Sequence, residues 1–99
     1  MAIAADGFDW DAGNRDKCQK HGVSLAEIEA FLRDDPRIAP TLRHSAAEER
    51  LMAVGRNDQG RAIFVVFTIR QRRGMRLIRP LSARYMHKKE IERYEARRS

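Results

Sequence analysis

The sequence predicts an α+β domain: two N-terminal helices, a four-stranded antiparallel sheet and a C-terminal helix. Three observations carry that reading. Ser24 and Glu27 form a helix-capping signature ahead of an apolar stripe at helical spacing. The run Ala62-Ile-Phe-Val-Val-Phe67 is apolar on both of its faces, which marks a central strand covered on both sides or lying at a dimer contact. Turn residues at Asn57-Asp58-Gln59-Gly60 and a basic stretch at 70–74 then divide the middle of the chain into strand-sized pieces. With 99 residues and 11.5 kDa, the chain has room for one domain, 1–99, around a single core.

The elements follow in order. Asp9 or Asp11 can cap a first helix that runs to about His21 and stops at Gly22, a residue suited to the left-handed exit. In the second helix, Val23 and Ile28 sit where a hydrophobic staple would place them, and Leu25, Ile28, Phe31 and Leu32 form the buried stripe. Asp34-Asp35-Pro36 ends it. Ile38 to Leu42 is a short strand, held to an edge by Pro40, which has no amide hydrogen to donate. Arg50 to Arg56 and Ala62 to Arg70 are two further strands joined by the Asn57–Gly60 loop. Met75 to Ala83 is the fourth, with Pro80 implying a bulge or a free edge. The tail from His87 to Arg97 is helical, with Ile91 and Tyr94 giving it a thin apolar stripe.

Composition sets limits on function. Hydrophobic residues at 42% and charged residues at 34% fit a folded, soluble chain. The longest apolar run has six residues, far below the roughly 18 of a membrane span. Met1 to Asp6 lacks the basic start and apolar stretch of a signal peptide, so a cytoplasmic location is expected. One cysteine, Cys18, excludes an internal disulfide and any zinc site built on paired cysteines. Formal net charge is +6 and pI about 10.2, but the charge is uneven. Residues 1–69 hold 9 Lys and Arg against 11 Asp and Glu, whereas residues 70–99 hold 11 against 3. A basic segment on a near-neutral body points to a polyanionic partner, nucleic acid first; the plain alternative is a solvated basic tail.

An ordered set of motifs is more specific. Phe8-Asp9-Trp10-Asp11, Lys20-His21-Gly22-Val23-Ser24, Arg43-His44 followed by Glu48-Glu49-Arg50, Gly55-Arg56, Ser82-Ala83-Arg84 and Glu90 together resemble the BrnT toxins, from about Phe8 to Tyr94. The resemblance implies a RelE-like ribonuclease fold and an RNA-directed endoribonuclease, on or off the ribosome, that blocks translation as the toxin of a type II toxin–antitoxin system. It also implies a ribbon-helix-helix antitoxin of the BrnA kind as partner, with operator DNA reached only through that complex. Cys18, Pro80-Leu81 and His87 depart from the expected pattern, and none of them removes a charged motif residue.

The residues can be read against that chemistry. RNA is cut without a metal when the 2′-hydroxyl attacks the adjacent phosphate. A base takes the 2′ proton, cations stabilise the pentacovalent phosphate, and an acid protonates the departing 5′ oxygen. DNA lacks that hydroxyl, so such a site discriminates by chemistry. His44, beside Arg43 in a polar connection, is the best acid–base candidate, the plain alternative being a surface histidine. Glu48 and Glu49 could act as base or orient Arg50, and Ser45 to Glu48 could equally start a helical turn. Arg50 and Arg56 lie on one face of a strand about 20 Å apart, too far to hold one phosphate but able to line one groove.

Further along, Arg76, Ile78, Pro80, Ser82 and Arg84 share a face if the bulge does not reset the alternation. Tyr85 could stack on a base or donate a proton, or be a half-buried packing residue. The expected catalytic set is therefore His44 or Glu49 for the 2′ proton, Arg50, Arg56 and Arg84 for the phosphate, and Tyr85 as a weaker acid candidate. Arg70, Arg72 and Arg73 in a turn, Arg76, Lys88 and Lys89 are the expected RNA contacts. For the two lysines, with Arg93, Arg97 and Arg98, the alternative is a solvated helix face. His21 and Gly22 read as structural, Trp10 as a core anchor, and Cys18 has no evident activating base. No cofactor or metal is expected. The competing reading is a catalytically weak binding module that complexes the antitoxin and tunes operon repression. A free-standing DNA-binding protein fits worse, because no recognition-helix pattern accompanies the basic residues.

Overall fold

A computed structural model describes residues 4–41 and 49–97. The described elements are β1 (Gly7–Phe8), α1 (Ala12–Gln19), α2 (Leu25–Arg33), β2 (Arg37–Pro40), β3 (Leu51–Arg56), β4 (Ala62–Arg72), β5 (Met75–Tyr85) and α3 (Lys88–Ala96). The strands form one sheet in the order β1-β5-β4-β3-β2. The α+β class and the three helices agree with the sequence, but the sheet has five strands and is mixed, not four and antiparallel. The extra strand is β1, which pairs parallel to β5 through Gly7 opposite Leu77 and Phe8 opposite Ile78. Two residues are too few to show a period of two. The strand exists because Asp6 and Asp9 donate their amides to the carbonyls of Arg76 and Ile78.

Asp11, not Asp9, caps α1. Its carboxylate accepts from the Asn14 amide at 3.1 Å, and the Asn14 side chain accepts from the Asp11 amide at 2.7 Å. The helix ends at Gln19, two residues short of the expected limit, and Gly22 at φ +89° turns the chain into α2. Ser24 caps α2 by accepting from the Glu27 amide at 3.1 Å. The reciprocal arm of the expected capping box goes elsewhere: Glu27 accepts from Asn57 Nδ2 and from the Tyr85 hydroxyl, each at 2.7 Å. In α3, Glu90 accepts from the His87 amide at 3.3 Å, compensating for a poor capping residue.

β4 is the middle strand of the five. Ile63, Val65 and Phe67 are buried on the face that α2 covers with Ile28, Phe31 and Leu32, and Cys18 and Val23 complete this core. The opposite face carries Phe64 and Val66, which are only half-buried. Ile91 and Tyr94 of α3 pack on one end of that face beside Val54 and Phe64. The two-sided apolar run is thus closed on one side and partly open on the other. β2 is an edge strand, as Pro40 requires, and Leu42, its expected last residue, lies outside the described residues.

Two details of the long β4–β5 hairpin correct the sequence reading. The basic turn shrinks to Arg73 and Gly74, both at positive φ (51° and 77°), the geometry of the two-residue turn that suits a twisted hairpin. Arg70 and Arg72 are therefore strand residues. Leu81 is the extra residue of a bulge, since Val66 faces Ser82 while Phe67 faces Pro80. The bulge does reset the alternation. Arg76, Ile78 and Pro80 face the α2 side, opposite Gln71, Ile69 and Phe67, whereas Ser82 and Arg84 face the open side, opposite Val66 and Phe64.

Neighbouring valines on opposite faces test this arrangement. Val65 is fully buried, and an unpaired carboxylate there costs several kcal/mol, against a total stability of about 5–15 kcal/mol. Val65→Asp should abolish cooperative thermal unfolding followed by circular dichroism. Val66→Asp, one residue along on the open face, should keep a cooperative transition.

Candidate nucleic-acid interface

Cross-strand register builds the floor of the open face in rows. Met52, Val66 and Ser82 lie opposite one another across β3, β4 and β5, and Val54, Phe64 and Arg84 form the next row. The rows are about 7 Å apart at two residues of strand rise. Over the first row runs a groove of about 830 Å³, floored by Met52, Phe64, Val66 and Leu81. One wall is α1 and the turn that follows it: Gly13, Asn14 and Lys17 from the helix, then Lys20, its cap, and His21. Thr41 and Arg50 form the other wall, with Arg79 and Ser82 contributed by β5. Two lysines, two arginines and an imidazole line it. No carboxylate does so among the described residues.

The α1 wall is fixed to the bulged part of β5. Asn14 is buried and donates its Nδ2 at 2.9 Å to the carbonyls of both Asp9 and Pro80. Arg79 reaches Asp11 at 2.9 Å and Asp9 at 3.6 Å, and Arg72 reaches Asp9 at 3.4 Å. The Asn14 amide and the Arg79 guanidinium hold the Asp11 carboxyl below its usual range. Cys18, one turn after Asn14, is fully buried, and burial pushes its thiol up to about 11, which removes it as a nucleophile at neutral pH.

The expected site residues separate into three groups. Arg50 lines the groove, and Glu49 is exposed beside it, its carbonyl accepting from the Thr68 hydroxyl at 2.7 Å. Arg84 lies one row along from Ser82. Its guanidinium is 4.8 Å from the centre of the Phe64 ring and donates to both oxygens of Glu90 at 2.9 and 2.8 Å. Arg56, at the far end of β3, donates to both oxygens of Glu95 at 3.0 Å and to the Gly60 carbonyl at 2.9 Å. Glu90 and Glu95 belong to α3, so that helix is tied to the sheet through two of the three arginines expected to hold phosphate. Arg84 in turn keeps the Glu90 carboxyl below its usual range.

Tyr85 falls on the other face. Its hydroxyl donates to Glu27 at 2.7 Å, Arg61 stacks 3.5 Å above its ring, and the hydrogen bond to Glu27 raises its pKa so that the phenol keeps its proton. Arg84 and Tyr85 therefore do not meet. His44 and Glu48 lie outside the described residues. Of the expected RNA contacts, Arg70 and Arg72 continue the open face beyond the groove, Arg73 occupies the hairpin turn, and Arg76 lies on the opposite face. Lys88 and Lys89 are exposed in the first turn of α3, where Lys89 borders a second depression of about 570 Å³ between that helix and the sheet.

Sequence reasoning missed Lys17, Lys20 and Arg79 as groove residues and read His21 as structural. The helical spacing of 17, 20 and 21 was visible, but only the docking of α1 on β5 turns that stripe toward the sheet face. Four of the five basic lining residues come from the near-neutral part of the chain, not from its basic end.

The family model for the ribonuclease toxin BrnT of type II toxin–antitoxin systems matches residues 10–90. A comparison with curated proteins found none that matches. The family match takes in every residue that lines the groove, together with β2 to β5 and the start of α3. The chain belongs to the BrnT family of ribonuclease toxins.

Proposed function

We propose that this BrnT family member is an endoribonuclease that cuts RNA by attack of its own 2′-hydroxyl, without a metal, and thereby stops translation. The observation that carries the proposal is the groove: cations on three sides, an apolar and aromatic floor, and no carboxylate among its described lining residues. Such a surface attracts a phosphate backbone and offers Phe64 to a base. Lys17, Lys20 and Arg50 have no carboxylate partner among the described residues, so phosphate would meet cations that are not already neutralised. Arg70 and Arg72 extend the same face and would hold the flanking chain. His44 stands in sequence between Thr41 and Arg50, both of which line the groove, and remains with Glu49 a candidate for the 2′ proton.

A second reading draws on the occupied arginines. With Arg56 and Arg84 tied to α3 carboxylates, the chain would be a weak catalyst that serves mainly to bind its antitoxin. Both readings include that partner, which the type II family implies. We take it to be a ribbon-helix-helix protein that carries the operator contact. No described helix is long and apolar enough to cross a membrane, and we place the protein in the cytoplasm.

Three outcomes are expected. Lys17→Glu and Lys20→Glu should each weaken binding of a cleavage-resistant RNA in filter or fluorescence titrations and reduce the salt slope by about one contact or more. Arg76→Glu, on the other face, should change binding less. If Arg84 exchanges Glu90 for a phosphate in the transition state, Arg84→Ala should slow mRNA cleavage in a cell-free translation reaction by roughly 10²–10³. Glu90→Ala should not slow it; equal loss in both variants would instead assign Arg84 to holding α3. Co-expression with the neighbouring antitoxin reading frame should relieve growth arrest, and the two chains should elute together at micromolar concentration.

A further inference from the structure

We propose that His21 is the proton acceptor of the groove and therefore a catalytic residue. This rests on the groove being the RNA site. Cleavage by the 2′-hydroxyl needs both a group that accepts a proton and a group that supplies one. The groove is rich in charged donors, with Lys17 and Lys20 beside His21 on the α1 wall, Arg50 on the opposite wall and Arg79 on β5. None of these accepts a proton at neutral pH. Its described lining contains no carboxylate, and Thr41 and Ser82 are poor bases. Among the described lining side chains the His21 imidazole is the one that can serve as acceptor, in place of the His44 or Glu49 that the sequence offers.

Its placement suits the role. His21 follows Lys20, the cap of α1, and precedes Gly22 at φ +89°, so it sits where the helix gives way to a turn. It is exposed, four residues after Lys17 and next to Lys20, and all three line the groove. A phosphate held by the lysines therefore brings the adjoining ribose within reach of the ring. The helix that leads to it is held at its start by Asn14 and by the Arg79 contacts to Asp9 and Asp11. In the step, the 2′ O–H proton passes to the imidazole while the 2′ oxygen bonds to phosphorus. The bond from phosphorus to the 5′ oxygen breaks, and that oxygen takes a proton from water. The products are a 2′,3′-cyclic phosphate and a 5′-hydroxyl.

The test uses the full chain in a cell-free translation reaction with mapped mRNA ends, and a 2′-O-methyl RNA to measure binding alone. His21→Ala and His21→Gln should keep their thermal transition and their affinity for the methylated RNA while cleavage slows by about 10² or more. The pH dependence of wild-type cleavage should flatten in His21→Ala. Free imidazole should restore part of that variant's rate. Wild-type cleavage in His21→Ala, or parallel loss of binding and cleavage without imidazole rescue, would overturn the assignment of His21 and leave the groove standing. Unchanged RNA affinity in Lys17→Glu and Lys20→Glu would overturn the groove itself. Intact mRNA with the wild type would overturn the ribonuclease proposal on which both depend.

Discussion

The attachment of α1 to the bulged stretch of β5 decides which residues share a surface. A bulge is costly unless something uses the groups that it displaces. Here the buried Asn14 takes up the Pro80 carbonyl next to Leu81, and the same side-chain nitrogen also holds the Asp9 carbonyl. Arg79 then bridges to Asp9 and Asp11, the residues that lead into and cap the helix. The helix start, the extra strand β1 and the bulge are therefore one connected unit. Arg79 is only 14% exposed, and one nitrogen of its guanidinium and one oxygen of Asp9 are buried without a hydrogen bond. That imperfect pairing costs about 1–3 kcal/mol, which the remaining contacts of the junction must offset. The return is a helix wall set at a fixed place above Val66 and Ser82.

The two faces of β4 show why one side became a core and the other a site. The α2 side is closed by large apolar residues, packed so closely that a Cβ added at Gly55 would lie 3.3 Å from the Phe31 ring and make it shift. The open side has no such cover. Only Ile91 of α3 is fully buried, and Arg56–Glu95 and Arg84–Glu90 do much of the holding. Each of these pairs is more than one-third exposed, so solvent screening leaves each of them weak. The result is an apolar strip bordered by cations, which a nucleic acid can occupy without displacing a packed core.

Much of the fold was legible because it depends on local chemistry. The Ser24 cap, the Leu25–Leu32 stripe, the Asn57 loop and the two-sided Ala62–Phe67 run each specify their element from neighbouring residues alone. The bulge was signalled by Pro80, but its consequence was not, because the register shift appears only when β5 is laid against β4. β1 left no signal for the same reason. Glu27 shows the limit most clearly: the capping box was a correct local option, and Asn57 and Tyr85, 30 and 58 residues away, offered its carboxylate better partners. Of the groove's lining residues, Arg50 was named from its motif. Lys17, Lys20, His21 and Arg79 depend on how a helix docks, which residue spacing does not encode.

The electrostatic design differs from what net charge suggests. The basic C-terminal third carries most of the excess charge, yet much of it is committed: Arg72 and Arg79 to the carboxylates at the start of α1, Arg84 to Glu90. The Asp11 and Glu90 carboxyls lie below their usual range. A carboxyl whose folded value lies below its unfolded one stabilises the fold above the unfolded value and loses that contribution as pH falls through the folded one. Glu90 and Asp11 are therefore ionised and engaged at neutral pH, with release confined to acid. At working pH the α1 anchor and the α3 tie are both in place, and Lys17, Lys20 and Arg50 carry the field that a polyanion meets. Charge counted along the sequence points to a polyanion, and ion pairing leaves the lysines and Arg50 of the α1 groove, more than the basic tail, as the cations without a described carboxylate partner.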